Sequence, residues 1–296
     1  MKIAVTATGG GVGQSIIKAL KGKHYIIALN SDNMGAGLYM ADEAHITPRA
    51  DSSSFISGIL SICLDRGVEV LFPGMDCELG KLSQAKGLFK EHGIDVAVSD
   101  PRVIDIADDK LKTQTFLKRN GMAYLKTTDD FRFLLKERKG GARSQGIVNI
   151  KSSDYEGYVS QEYVEGDEYT CGTVTLGGVY KGCIIMRREL RDGDTYKAFV
   201  EKNKDIESLC RKICTLLKPV GAMNIQLRLK DGVPYVFELN ARCSGTTGAR
   251  ALAGFNEPLM IANYIKDGRE PYHDIKEITI LRYWQELVLN NEDIIN

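Results

Sequence analysis

Apolar positions follow two different rhythms along the chain. In the first third, short apolar runs alternate with stretches of helical spacing. Lys2 to Thr6 reads as a buried strand, Thr8 to Gln14 as a glycine-rich turn, and Ser15 to Leu20 as a helix with Ile16, Ile17 and Leu20 on one side. Strands at Tyr25–Leu29, Val68–Phe72 and Ile94–Val98 alternate with helices at Phe55–Leu64 and Leu79–Glu91. Such alternation predicts a parallel, doubly wound sheet, closing near Ser99-Asp100-Pro101. A helix over Val103–Asn120 follows, stopped by Gly121.

Beyond it the rhythm becomes that of strands joined by turns. Phe133–Lys136, Gly146–Lys151, Tyr158–Gln161, Tyr169–Leu176 and Val179–Met186 read as strands, with a hairpin signal at Gly177-Gly178. A helix over Asp205–Leu217 precedes two strands, Ala222–Leu229 and Pro234–Leu239, joined at Lys230-Asp231-Gly232. Asn256–Asp267 reads as a last helix and Ile278–Val288 as a last strand. The fold class expected is α/β followed by α+β, with mainly antiparallel sheet in the second part. The boundaries expected are 1–98 for the α/β domain, 99–130 for a linking helical segment, 131–185 for a small lobe and 186–296 for a larger one.

Composition narrows the function. With 296 residues, 43% hydrophobic and 26% charged, the chain reads as an ordinary globular protein of more than one core. Lys+Arg and Asp+Glu both total 39, so no net field draws it to nucleic acid or to an anionic membrane. There is no apolar run of the ~20 residues needed to span a bilayer. The 7 cysteines form no C-x-x-C pair and the 4 histidines are dispersed, which argues against zinc and disulfides and for a cytoplasmic location.

Two features carry candidate chemistry. The turn Gly9-Gly10-Gly11-Val12-Gly13 between a strand and a helix is suited to an anion. Its spacing departs from G-x-G-x-x-G, and Asn30-Ser31-Asp32 stands where a dinucleotide site wants a ribose-binding acid. A nicotinamide enzyme and a tight turn lining a substrate cleft are both open at that point. The second feature is Phe237-Glu238-Leu239-Asn240-Ala241-Arg242. Glu238 and Asn240, two apart on a strand, share a face. A tight hairpin brings Gln226 beside them, and one carboxylate with two amides is a hard donor set for magnesium when phosphate and water supply the rest. Arg242, two further on, is placed to neutralise a phosphoryl group or an oxyanion. The small residues Ser244-Gly245-Thr246-Thr247-Gly248 follow at once and suit close ligand approach.

With these motifs the chain resembles the ATP-grasp superfamily, most closely its carbamoyl-phosphate-synthase-like and amino-acid-ligase branch. The resemblance covers nearly the whole chain and rests on several segments in order. Ala107-Asp108-Asp109-Lys110 looks like the helix whose lysine reaches the ATP phosphates. Leu134-Leu135-Lys136 and Gly140-Gly141-Ala142-Arg143-Ser144-Gln145-Gly146 look like the strand lysine and the phosphate-covering loop, which assigns Lys136, Gly140, Gly141, Ser144 and Gly146 to the nucleotide. Gln161-Glu162-Tyr163-Val164-Glu165-Gly166-Asp167-Glu168 looks like the adenine hinge, with Glu162, Tyr163 and Val164 at the base and Glu168 at the ribose. Gln226, Glu238 and Asn240 match the metal end. Family members carry an arginine near the γ-phosphate or substrate carboxylate, which points to Arg188, with Arg187 close behind. The implied fold is a pre-ATP-grasp domain followed by a two-lobed ATP-grasp domain. The short segment between Asn120 and Gln161 implies a reduced lid lobe.

The resemblance implies a carboxylate–amine or carboxylate–thiol ligase, using ATP and Mg2+ (or Mn2+) and acting through an acyl phosphate. Arg188 and Arg242 would steady the transferring group. Its partners would be a small carboxylate and an amine, with no nucleic acid or membrane, and it allows a homodimer. The alternatives are phosphorylation of bicarbonate or carbamate and a non-catalytic nucleotide-binding subunit. The chain carries one ATP-grasp unit, whereas a complete carbamoyl phosphate synthetase subunit has two.

Overall fold

The computed structural model of the chain describes residues 1–127, 134–137 and 158–295, with 134–137 and 158 described by their backbone. The first domain contains a five-stranded, all-parallel sheet in the order β3-β2-β1-β4-β5. Its strands are β1 (Lys2–Val5), β2 (Tyr25–Asn30), β3 (Glu43–Ile46), β4 (Val70–Phe72) and β5 (Asp95–Val96). Helices α1 (Gly11–Leu20), α2 (Phe55–Arg66), α3 (Asp76–Gln84) and α4 (Lys86–Glu91) alternate with them. Cover on both faces explains why the central strands are continuous apolar runs: Ile3 to Val5 and Ile26 to Leu29 are fully buried. Sequence reading misses β3, because Glu43-Ala44-His45-Ile46 is a half-buried edge strand with no apolar run.

Two expected helices are each broken in two. The Leu79–Glu91 stretch is α3 and α4, meeting at Ala85. The Val103–Asn120 stretch is α5 (Pro101–Asp108) and α6 (Lys110–Arg119). Asp109 breaks it: its backbone is extended, and its carboxylate caps α6 by accepting from the amides of Leu111 (3.0 Å) and Lys112 (3.2 Å). Lys110 is thus the first residue of a helix and not an interior one.

The second domain is built on an antiparallel sheet of order β12-β11-β8-β9-β10-β13. Its strands are β8 (Asp167–Leu176), β9 (Val179–Arg191), β10 (Asp194–Val200), β11 (Gly221–Lys230), β12 (Val233–Asn240) and β13 (Thr279–Leu281). β6 (Leu134–Glu137) and β7 (Tyr158–Gln161) form a separate antiparallel pair. Of the small lobe expected over 131–185, β8 and the first part of β9 lie in the six-stranded sheet, and the expected strand Gly146–Lys151 lies outside the described residues. Helix α7 (Lys204–Leu217) buries Ile206, Leu209, Cys210, Ile213, Cys214 and Leu217, while α8 (Thr247–Leu252) and α9 (Glu257–Asp267) follow β12. The expected last strand shrinks from Ile278–Val288 to β13. Leu281 lies opposite Lys197 and the Arg282 amide still donates to the Tyr196 carbonyl (3.0 Å), but β10 begins at Asp194, so the chain soon runs off its partner. The α/β then α+β class is borne out.

The two domains are joined through side chains. The Ser15 hydroxyl on α1 accepts from the Gly248 amide (2.7 Å) and donates to the Gly245 carbonyl (3.1 Å). At the carboxyl ends of β1 and β4, where an open α/β sheet forms its crevice, the Thr6 hydroxyl donates to Glu78 (2.5 Å) and accepts from the Gly74 amide (3.1 Å). A Cβ on Gly74 would lie 2.1 Å from the Thr6 carbonyl oxygen, so only glycine fits. The Asn30 carboxamide is tied back to the glycine turn, accepting from the Gly9 amide (2.9 Å) and donating to the Asp32 carbonyl (2.7 Å). Its carboxamide is thereby committed to the turn itself, which favours the tight-turn reading over a dinucleotide site.

Burial pushes the pKa of Glu78 up, against the hydrogen bond from Thr6. A carboxyl raised in the folded state holds its proton longer than in the unfolded chain. The fold therefore loses stability as pH rises from the ordinary carboxylate value through the folded one. Glu78→Gln keeps an acceptor for Thr6 and removes the charge. Its melting temperature is expected to exceed that of the parent by about 2–4 °C at pH 8, with no gain near the ordinary carboxylate pKa. Thermal melts across that pH range check it.

Candidate functional site

The β11–β12 hairpin assembles the polar cluster. Its register pairs Asn224 with Asn240 and Gln226 with Glu238, so all four stand on one face. Ile225 and Leu239, paired between them, point into the core and are essentially buried. The register then shifts: Leu227 pairs with Val236, and Phe237 is the extra residue of a bulge.

Hydrogen bonds link these side chains in one direction. Arg250 on α8, fully buried, donates to Asn224 Oδ1 (2.5 Å) and to Thr170 (2.8 Å). Asn224 Nδ2 donates to Asn240 Oδ1 (3.0 Å), and Asn240 Nδ2 donates to Glu238 (2.9 Å). From the other side Arg188 donates to Gln226 Oε1 (2.5 Å), and Gln226 Nε2 donates to Asn240 Oδ1 (3.0 Å). An arginine can only donate, so the two arginines settle which end of each amide is oxygen. Arg250 is itself held by Glu257 (2.8 Å), both nearly or fully buried. Burial raises the Glu257 pKa, opposed by the Arg250 charge.

A second set of contacts continues from Arg188. Its guanidinium also donates to Glu168 (2.7 and 3.0 Å), and Arg228 binds the other Glu168 oxygen (2.7 Å). Arg228 in turn donates to the Tyr163 hydroxyl (2.9 Å) and lies 4.7 Å from that ring's centre. Arg187 points elsewhere, to Glu201 (2.8 Å) and over Phe199. Of the two neighbouring arginines, Arg188 is the one that reaches the cluster.

A cleft lined by Asp76, Lys110, Glu238 and Asn240, among others, brings three expected residues together. Lys110 is buried there at the start of α6. Arg242 lies just past β12 and forms a two-pronged pair with Asp76 of the first domain, with 2.7 Å between Nε and Oδ1. Burial works against its charge, but the Asp76 carboxylate, helped by Glu238, more than offsets this and raises its pKa. Glu162 is bound to Lys126, its amide donating to the Lys126 carbonyl (2.8 Å) and its carboxylate accepting from the Lys126 amide (3.1 Å). Val164 is buried and Tyr163 exposed. Lys136 is placed by its backbone opposite Val159, while Gly140, Gly141, Ser144 and Gly146 lie outside the described residues.

Sequence reading missed Asn224, Thr170, Arg250, Glu257, Arg228 and Asp76. Asn224 shares strand parity with Gln226, which is a usable signal. Arg250 and Asp76 arrive from other elements and leave no local signal.

Comparison with known proteins agrees with the geometry. Residues 155–286 match the family model described as ATP-grasp in the biosynthetic pathway with Ter operon. Residues 3–97 match the model for a PylC-like N-terminal domain. No curated protein sequence matches the chain. Among solved structures, the ADP complex of an N5-carboxyaminoimidazole ribonucleotide synthetase superposes with a TM-score of 0.73 at 12% identity, covering 95% of this chain and 81% of that one. An L-amino acid ligase from Bacillus licheniformis gives 0.66 at 12% identity, with 94% and 78% covered. The biotin carboxylase domain of Hydrogenobacter thermophilus 2-oxoglutarate carboxylase, with MgADP, ADP and bicarbonate, gives 0.66 at 16%, with 93% and 72% covered. The fold is therefore the ATP-grasp fold, as the motifs implied. More particularly, residues 3–97 are similar to a PylC-like N-terminal domain and residues 155–286 to an ATP-grasp domain of the Ter-operon type.

The Asp76–Arg242 pair is expected to hold the cleft walls together. Lysine cannot reproduce the fork, so Arg242→Lys and Asp76→Asn should each cost about 1–3 kcal/mol. The double variant should cost less than the sum, by about 1 kcal/mol or more. Denaturant unfolding of all four proteins checks this; strictly additive losses would mean that the pair couples nothing.

Proposed function

We propose that the protein is an ATP-dependent carboxylate–amine or carboxylate–thiol ligase, forming ADP and phosphate through an acyl phosphate. The observation that carries this reading is one cleft lined by Lys110, Glu238 and Asn240, with an ordered amide cluster behind it. The donor set suits the cation. Glu238 is its one carboxylate, and no group of three or more His, Cys, Asp or Glu fit for a metal exists among the described residues. That composition suits Mg2+, or Mn2+, completing its shell with phosphate and water. Bound Mg-ATP would supply the phosphoryl group and the charge that offsets it.

The chain's own residues bind and orient. Glu238 Oε1 accepts from Asn240, and its other oxygen accepts no hydrogen bond from described residues, so it is available to a cation. Gln226 Oε1 and Asn240 Oδ1 accept from protein donors, so a cation there would displace Arg188 or an amide. Arg188 would then turn its charge toward a phosphoryl or carboxylate group, and Arg242 would do so on release from Asp76. Lys110 grips phosphate from the opposite wall, and Lys136 and the glycine loop from Gly140 to Gly146 cover it. Glu162 to Val164 hold the base and Glu168 the ribose. No described helix is long and apolar enough to cross a membrane. The reading adds a cytoplasmic location and allows a homodimer.

Bicarbonate as the acid is the second reading, favoured by the relative solved with that anion. A screen of ADP and phosphate release over acid–amine pairs tests both. The ligase reading expects release that rises about tenfold or more when acid and amine are both present. Release with bicarbonate alone would support the second reading, and nucleotide binding without release a non-catalytic subunit. Lys110→Ala is expected to raise the KM for ATP by about tenfold; an unchanged KM would remove Lys110 from the site.

A further inference from the structure

Four of the seven cysteines meet in one seam, where helix α7 packs on strands β8 and β9. Strand register sets Cys183 opposite Thr173, and Cys171, two residues from Thr173, stands on the same face of the sheet. Helix α7 presents Cys210 and Cys214, one turn apart, from its buried side. Cys214 Sγ donates to the Thr173 hydroxyl (3.3 Å), which places α7 over that face. Cys210 lies beside the thiols of both Cys171 and Cys183. Cys171, Cys210 and Cys214 are buried and Cys183 is half-buried, so solvent reaches the cluster at Cys183.

The surroundings give Cys183 and Cys210 different characters. The Cys210 thiol, donating toward Cys183, lowers the Cys183 pKa against the effect of burial, and the Tyr180 hydroxyl adds to this. The pKa of Cys210 is pushed well up by the Cys171 and Cys183 thiols and by burial. Cys183 is therefore the readier thiolate and Cys210 the thiol. Arg211 and Glu207 act on Cys183 with opposite sign and pair with each other at 3.5 Å, so they largely cancel. Tyr180 lies with its ring centre 4.8 Å from the Arg211 guanidinium. Its buried hydroxyl has no hydrogen-bond partner among the described residues and stands near the Cys183 sulfur, so a donor is free there.

We propose that Cys183 and Cys210 form a thiol pair that a hydroperoxide closes to a disulfide. With hydrogen peroxide, the Cys183 sulfur attacks one peroxide oxygen and the O–O bond breaks. Cys183 becomes a sulfenic acid, and the other oxygen leaves with the Cys183 proton as water. The Tyr180 hydroxyl is placed to donate to that departing oxygen. The Cys210 sulfur then attacks the Cys183 sulfur, the S–O bond breaks, and the hydroxyl leaves with the Cys210 proton as a second water. Two thiols lose two electrons and the peroxide gains them. The bond would tie α7 to β9, the strand that carries Arg188.

The test uses the full chain with Cys77→Ser, which removes the exposed thiol. It is treated with enough hydrogen peroxide to oxidise free glutathione fully, alkylated, digested without reductant and mapped by mass spectrometry. Peptides carrying Cys183 and Cys210 should appear joined. Thiols titrated in denaturant should fall from six (seven less Cys77) to four, and dithiothreitol should restore them. In the same background, Cys210→Ser should leave Cys183 as a sulfenic acid that dimedone traps, with no joined peptide. Cys183→Ser should slow thiol loss by about tenfold or more. If Cys210→Ser does not fold, the peptide map and Cys183→Ser still decide. Thiol loss at the undiminished rate in Cys183→Ser, a joined peptide that lacks either cysteine, or six intact thiols after peroxide would each overturn the proposal.

Discussion

A donor-only group at each end of an amide chain is the constraint on which this site depends. Arg250 and Arg188 approach the Asn224–Asn240–Gln226 cluster from opposite sides, and neither can accept a hydrogen bond. Asn224 and Gln226 must therefore turn their oxygens toward an arginine and their amide nitrogens toward the shared Asn240 Oδ1. The last donor in the line, Asn240 Nδ2, falls on Glu238. The carboxylate is thus held by one oxygen and presents the other. Arg250 keeps its charge in the core because Glu257 is beside it, and removing one partner of such a pair costs about 3–5 kcal/mol. The sheet makes room for it: a Cβ on Gly172 would lie 2.5 Å from an Arg250 nitrogen and 2.3 Å from a Glu257 oxygen. The strand residue beside Asn224 has to be glycine for the arginine to pass.

The cluster would mean little without an opposing wall. The first domain and the α5–α6 linker supply it through Asp76, Ile104 and Lys110, among others. The break at Asp109 matters here, since it starts a new helix at Lys110 in the cleft. The Arg242–Asp76 fork and the Ser15 bonds to Gly245 and Gly248 tie that wall to the end of β12. Packing, capping and ion pairing thereby converge on one place, and each acts through a different stretch of chain.

Most of the fold was legible in the sequence because strand and helix periods differ so clearly. The fully buried strands of the first domain announce themselves, as does the Gly177-Gly178 hairpin between β8 and β9. Legibility fails where tertiary pairing overrides local pattern. β3 is too polar to read, β10 pairs despite a charged sequence, and Tyr283 to Val288, apolar at both ends, have no partner strand among the described residues. At the site, the alternation of Glu238 and Asn240 was readable from strand parity alone. The choice of Arg188 over Arg187 needed the register, and Arg250 needed the packing of α8.

The central claim is that the Glu238 end of β12 holds the metal of a metal–nucleotide complex. The most direct measurement is the linkage between Mg2+ and ADP, taken as ADP affinity with and without Mg2+ in the parent and in Glu238→Gln. The account predicts that Mg2+ tightens ADP binding by about tenfold or more in the parent and leaves it nearly unchanged in the variant, whose metal-free affinity is preserved. A variant that keeps the full Mg2+ enhancement would place the cation elsewhere and contradict the account.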